Sequence, residues 1–71
     1  MNDDERARFK TIINYWIEHN KEHSQEFEEW ADKAREMGEN EACKAILQAA
    51  RDMDEATESL FQALSRIETR E

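Results

Sequence analysis

Residues 9–38 read FKTIINYWIEHNKEHSQEFEEWADKAREMG, and a single spacing runs through them. Phe9, Ile13, Trp16, Asn20, His23, Phe27, Trp30, Ala34 and Met37 alternate steps of four and three. Such steps return to one side of an α-helix, whereas a strand needs alternation at every second residue, so the stretch predicts a helix with an apolar seam. Gly38 follows at once, the one glycine of a chain that has no proline. Glycine enters the left-handed conformation that ends a helix without steric penalty. Upstream, Asn2 with Glu5 three residues on makes a capping-box pattern, and Asp3, Asp4 and Glu5 suit the positive end of the helix dipole. The first helix is predicted over about 3–37.

The spacing resumes beyond the glycine. Asn40 is expected to cap a second helix over about 41–70, with Arg66 and Arg70 placed against its carbonyl end. Ala42, Ile46, Ala49, Met53, Ala56, Leu60, Ala63 and Ile67 form its seam. A turn of two or three residues makes the helices antiparallel neighbours. Folding about Gly38 and Glu39 pairs residues whose numbers total about 76 or 77, which sets Trp30 on Ile46, Phe27 on Ala49, Trp16 on Leu60 and Phe9 on Ile67. Large rings against alanines give the complementarity that a packed interface needs. The fold class expected is all-α, a two-helix antiparallel hairpin forming one domain over 1–71.

A second stripe on helix two, Cys43, Leu47, Ala50, Asp54, Thr57, Phe61 and Leu64, has the same period, and Ile17, Ser24 and Ala31 widen the stripe of helix one. One partner helix is not expected to cover both stripes. A homodimeric four-helix bundle is therefore expected, with Ile17, Leu47, Ala50, Phe61 and Leu64 at its interface. Length points the same way: 71 residues bury too small a share of their surface to be comfortable alone. The single cysteine, Cys43, excludes a disulfide within the chain, which leaves an intermolecular bridge, a metal or oligomerisation as added support.

With 18 acidic against 10 basic residues the formal charge is −8, which repels phosphate backbones and anionic lipid surfaces. Neither nucleic acid nor a membrane is an expected partner; a second copy, another protein or a cation is. No apolar run approaches the roughly 20 residues that span a bilayer, and the acidic start, Asn2-Asp3-Asp4-Glu5, is unlike a secretory leader. A cytoplasmic protein is expected.

Asn20 and His23 interrupt the seam near its middle, and the register sets Asp54 and Thr57 opposite them. A buried polar layer of Asn20, His23, Asp54 and Thr57 has two readings. It fixes register and oligomeric state, or it holds a divalent transition metal, zinc, nickel or iron, because imidazole and carboxylate are ordinary ligands for those ions. In the metal reading His23 is joined by His19 one turn earlier, with Asp54, Glu22 and Glu26 as further ligands. The run His19-Asn20-Lys21-Glu22-His23 lacks the internal glutamate of the His-Glu-x-x-His metallohydrolases, and Asn20 stands where the di-iron Glu-x-x-His motif needs its carboxylate. No serine–histidine–acid set or glycine-rich phosphate loop is present. The function expected is that of a non-enzymatic binding or accessory protein. The alternative is an interaction module using its acidic face or the helix-two stripe.

The stretch from Trp16-Ile17-Glu18-His19-Asn20-Lys21-Glu22-His23 to Phe27 and Trp30-Ala31 resembles a family of small, uncharacterised prokaryotic helical proteins with the pattern His-Trp-Ile-Glu-His-Asn-x-Glu-His, then Phe and Trp-Ala. The likeness covers about a quarter of the chain. It implies a helix–glycine–helix layout and a motif role for His19 and His23, with no established activity. In that pattern a further histidine precedes the tryptophan, where this chain has Tyr15.

Overall fold

A computed structural model describes residues 2–69. Two helices account for nearly all of them, α1 over Asp3–Glu36 and α2 over Asn40–Thr69. They lie side by side in a rod of 53 × 15 × 12 Å, and 34 residues at about 1.5 Å each reach that length.

Local chemistry sets the ends. The Asn2 Oδ1 accepts a hydrogen bond from the Glu5 backbone N–H at 2.8 Å, satisfying one of the donors that a helix start leaves open. At the other end of α1 the Glu39 N–H donates to the Ala34 carbonyl at 2.8 Å and the Gly38 N–H to the Arg35 carbonyl at 3.0 Å. These are the two bonds of a Schellman motif, and Gly38 supplies its left-handed residue at φ 83°. The Cys43 N–H donates to the Glu39 carbonyl at 2.9 Å, so α2 starts one residue earlier than expected. Glu39 holds the capping position and Asn40 lies in the first turn. Arg70 lies outside the described residues.

Nothing lies within 4 Å of where a Gly38 side chain would begin, so replacement strains the backbone without a clash. Gly38→Ala is expected to destabilise the hairpin by about 1–2 kcal/mol in urea denaturation. Gly38→Asn should lose less, because asparagine tolerates this conformation better.

The core is narrower than the sequence suggests, and α1 is turned by one residue from the expected seam. Ile13, Ile17 and Leu64 form one buried cluster with Leu60, Ala63 and Ile67 against it. Ala31, Ala34 and Cys43 form a second, nearer the turn, with Ile46 and Leu47 against it. The seam of α1 is thus Ile13, Ile17, Asn20, Ser24, Phe27, Ala31 and Ala34; that of α2 is Cys43, Ile46, Ala50, Met53, Thr57, Leu60, Leu64 and Ile67. A register in which paired numbers total 77 places Ile13 with Leu64 and Ile17 with Leu60 in the first cluster, and Ala31 with Ile46 and Ala34 with Cys43 in the second. The expected alignment along the rod holds, but Ile17 and Ala31 stand where Trp16 and Trp30 were expected.

The reason is volume. The α2 seam alternates members of the two expected stripes, and rings as large as tryptophan in the same layers as Ile46 and Leu60 would overpack a two-helix interface. Small residues on α1 let the helices approach closely. Ile13 and Ile17 are 1% and 2% exposed. Trp16 and Trp30 stand outside at 45% and 55%, together with Phe9, Ile12 and Met37.

Candidate functional site

Three features lie along the hairpin. The first is a polar layer between the two apolar clusters. The buried Ser24 hydroxyl donates to the Asp54 Oδ1 at 2.7 Å and lies 3.5 Å from the Ala50 carbonyl. The Thr57 hydroxyl, also buried, donates to the Met53 carbonyl of its own helix at 3.0 Å. Among the described residues no buried side-chain polar atom lacks a partner, the condition under which a polar layer is tolerated inside a seam. Asn20 is half-buried in the same seam. The expected layer thus stands corrected at its main contact: Ser24, not His23, meets Asp54.

His23 sits one position off the seam, half-buried, and forms the second feature with His19. Their Nε2 atoms are 3.0 Å apart, hydrogen-bonded across one helical turn. The pair is the middle of a ladder of rings: Tyr15 stacks on His19 at 5.5 Å, the two imidazoles meet edge to face at 4.4 Å, and Phe27 lies 6.1 Å from His23. Among the described residues no three His, Cys, Asp or Glu side chains gather as a metal-binding group. Of the five expected ligands the structure brings together His19 and His23. Asp54 is held by Ser24, and Glu22 and Glu26 are exposed on the outer surface of α1.

The third feature went unrecognised as a surface in the sequence. Phe9, Trp16, His23, Trp30 and Met37 are spaced by seven and line one flank of the α1 seam, each one residue before a seam position or its continuation. Ala42, Ala49, Ala56 and Ala63 have the same spacing and the same offset on α2. In an antiparallel pair these two offsets fall on the same side. One broad face of the rod is therefore a ridge of rings beside a trough of alanines. Phe9, Ile12, Trp16, Trp30 and Met37 are all exposed there, and Ala42 and Ala56 are exposed in the trough.

The residues expected at a dimer interface fall elsewhere. Ile17, Ala50 and Leu64 are buried by the chain's own helices, and Leu47 is half-buried against the second cluster. Phe61 is exposed at the opposite flank, with the Lys21 ammonium 5.2 Å from its ring centre. One partner helix does cover most of both α2 stripes, because a seam running between two stripes takes alternate members of each. Ion pairs such as Arg35–Asp32 at 2.8 Å and Lys44–Glu41 at 3.4 Å are exposed and local, and such pairs add little stability.

Residues 9–67 match a family described as a domain of unknown function, DUF8180. The chain belongs to that family. The DUF8180 match takes in most of both helices, the turn, the histidine pair and the whole ring-and-alanine face. No curated protein and no solved structure matches the chain. No helix among the described residues is long and apolar enough to cross a membrane.

Proposed function

We propose that this DUF8180 chain is a small, non-catalytic binding module of the cytoplasm that works as a homodimer, two hairpins stacked through their ring-and-alanine faces into a four-helix bundle. One observation carries the reading: both tryptophans, with Phe9, Ile12 and Met37, lie outside a hairpin core made mainly of alanine and isoleucine. Exposed to about half their area, these side chains come to roughly 500 Å² of apolar surface, at the upper end of what a monomer leaves bare. With its margins the face approaches the roughly 800 Å² that each partner gives to a standard interface.

A second copy suits the face on two counts. A ridge lying beside a trough is self-complementary, because a two-fold rotation sets the rings of each copy over the alanines of the other. The rows are also nearly neutral. The ridge and the trough hold no carboxylate, ammonium or guanidinium and one imidazole, His23, so the charge of −8 lies outside them. In this reading the Ser24–Asp54 bond fixes the hairpin register, and the dimer face provides binding.

Acrylamide quenching of tryptophan fluorescence at rising protein concentration tests it. Association buries Trp16 and Trp30, so quenching should fall several-fold between nanomolar and tens of micromolar chain. Quenching that stays high at every concentration, in a folded chain, would assign the face to a different protein.

A further inference from the structure

We propose that the second copy docks in one sense only, with the two-fold axis running along the rod, so that α1 of each copy lies over α2 of the other and both Gly38 turns stand at the same end of the bundle. The inference rests on the association proposed above and adds the direction in which the partner binds. A face with a ridge on one side and a trough on the other makes the possible axes unequal. An axis along the rod exchanges the two sides and keeps the level, so each ridge falls on the other copy's trough. An axis across the rod exchanges the two ends and keeps the sides, so ridge falls on ridge and trough on trough. Rings against rings overpack one side, and alanines facing alanines leave a void on the other. An oblique axis crosses the rods and leaves most of each ridge uncovered. Exposure shows the relief: Trp16 and Trp30 stand out at 45% and 55%, whereas Ala49 and Ala63 are half-buried in the trough.

The levels agree as well. Within one hairpin, residues whose numbers total 77 share a level, as Ile13 and Leu64 do in the first cluster. An axis along the rod carries that register to the second copy. Trp16 then comes to the level of residue 61 on the facing helix, between Ala56 and Ala63 of the alanine row. His23 comes to the level of residue 54, between Ala49 and Ala56, and Trp30 to that of residue 47, between Ala42 and Ala49. Each ring at the centre of the ridge thus meets a gap between two small side chains, the knob-into-hole fit of packed helices. The His23 Nε2 is already engaged by His19 at 3.0 Å, so that atom needs no polar partner from the other copy. A slide by one seven-residue repeat would keep the fit but push one ring of each copy past the end of the alanine row, which leaves the unshifted register the best covered.

The test places a spin label at the turn, Glu39→Cys in a Cys43→Ala background, and reads the distance between the two labels by pulsed electron resonance where sedimentation finds twice the single-chain mass. Packed helices lie roughly 8–10 Å apart, so the distance expected is below about 30 Å with both label arms included. Glu41→Cys, at an exposed position in the first turn of α2, should give the same reading and guards against a label that disturbs the turn. A longer distance from both sites in a dimer, approaching the 53 Å of the rod for copies that point in opposite directions, overturns the orientation and leaves the association standing. Labels that never pair, in a folded chain that keeps the single-chain mass, overturn the association and the orientation with it.

Discussion

Replacing Ile13 by alanine is expected to remove about 2–5 kcal/mol of stability and to leave the chain largely unfolded at 25 °C by circular dichroism. Ile13 is 1% exposed, and among the described residues no other side chain of its size is so fully enclosed. It anchors the cluster farther from the turn, where Ile17, Leu60, Leu64 and Ile67 meet. The cluster at the turn is built from Ala31, Ala34 and Cys43 with Ile46 and Leu47 alongside, and it has too little apolar volume to compensate. Domains of this length have only a few kcal/mol in hand. Tyr15→Ala, two residues on at a position 63% exposed, should change stability by no more than about 0.5 kcal/mol, as surface substitutions do. Equal losses in the two variants would contradict the seam.

The second large effect falls on association. Trp16→Gln with Trp30→Gln removes two rings per copy, four per dimer. Even at about 1 kcal/mol each, below the usual value for full burial of a large side chain, dimer dissociation should strengthen about 1,000-fold. Sedimentation at about 10 µM should then find single chains, and the melting temperature should no longer rise with concentration, as it does when a partner stabilises the fold. Ala56→Glu makes the same prediction from the trough, at an exposed position that leaves every ring in place. Were the tryptophans part of the hairpin core, the double variant would lose its helices and Ala56→Glu would do little.

Most of the fold is legible in the sequence because its signals are local. Seven-residue spacing, an Asn2 cap, a lone Gly38 and the lack of proline each act within a turn or two, and together they give two helices, a tight turn and an alignment in which paired numbers total about 76 or 77. What they do not give is the rotation of α1 about its own axis. Two rows one residue apart share the same period: Phe9, Trp16, His23 and Trp30 beside Lys10, Ile17, Ser24 and Ala31. Hydrophobicity ranks the first row higher, so it reads as the core. Packing ranks the second higher, because a pair of helices closes best over small and aliphatic side chains, and that preference depends on what stands opposite. A clue was present in Ala42, Ala49, Ala56 and Ala63, a row too small to build a core and well shaped to receive one.

The same rotation accounts for the site. Moving the seam by one residue puts Ser24 where His23 was expected, so the contact with Asp54 passes from an imidazole to a hydroxyl, and the polar layer becomes a matter of register. His23 turns outward to His19. The histidine pair was legible as a pair from its spacing alone; its place on a ring-lined face, away from Asp54, was not, because position on the face follows from packing across helices.

The proposed function rests on a second copy covering the ring-lined face of the hairpin. Sedimentation equilibrium of the tag-free chain, from about 1 to 100 µM and with chelator present, tests that most directly. The account predicts a mass approaching twice the 8.5 kDa of one chain. A folded species that keeps the single-chain mass across the whole range would contradict it.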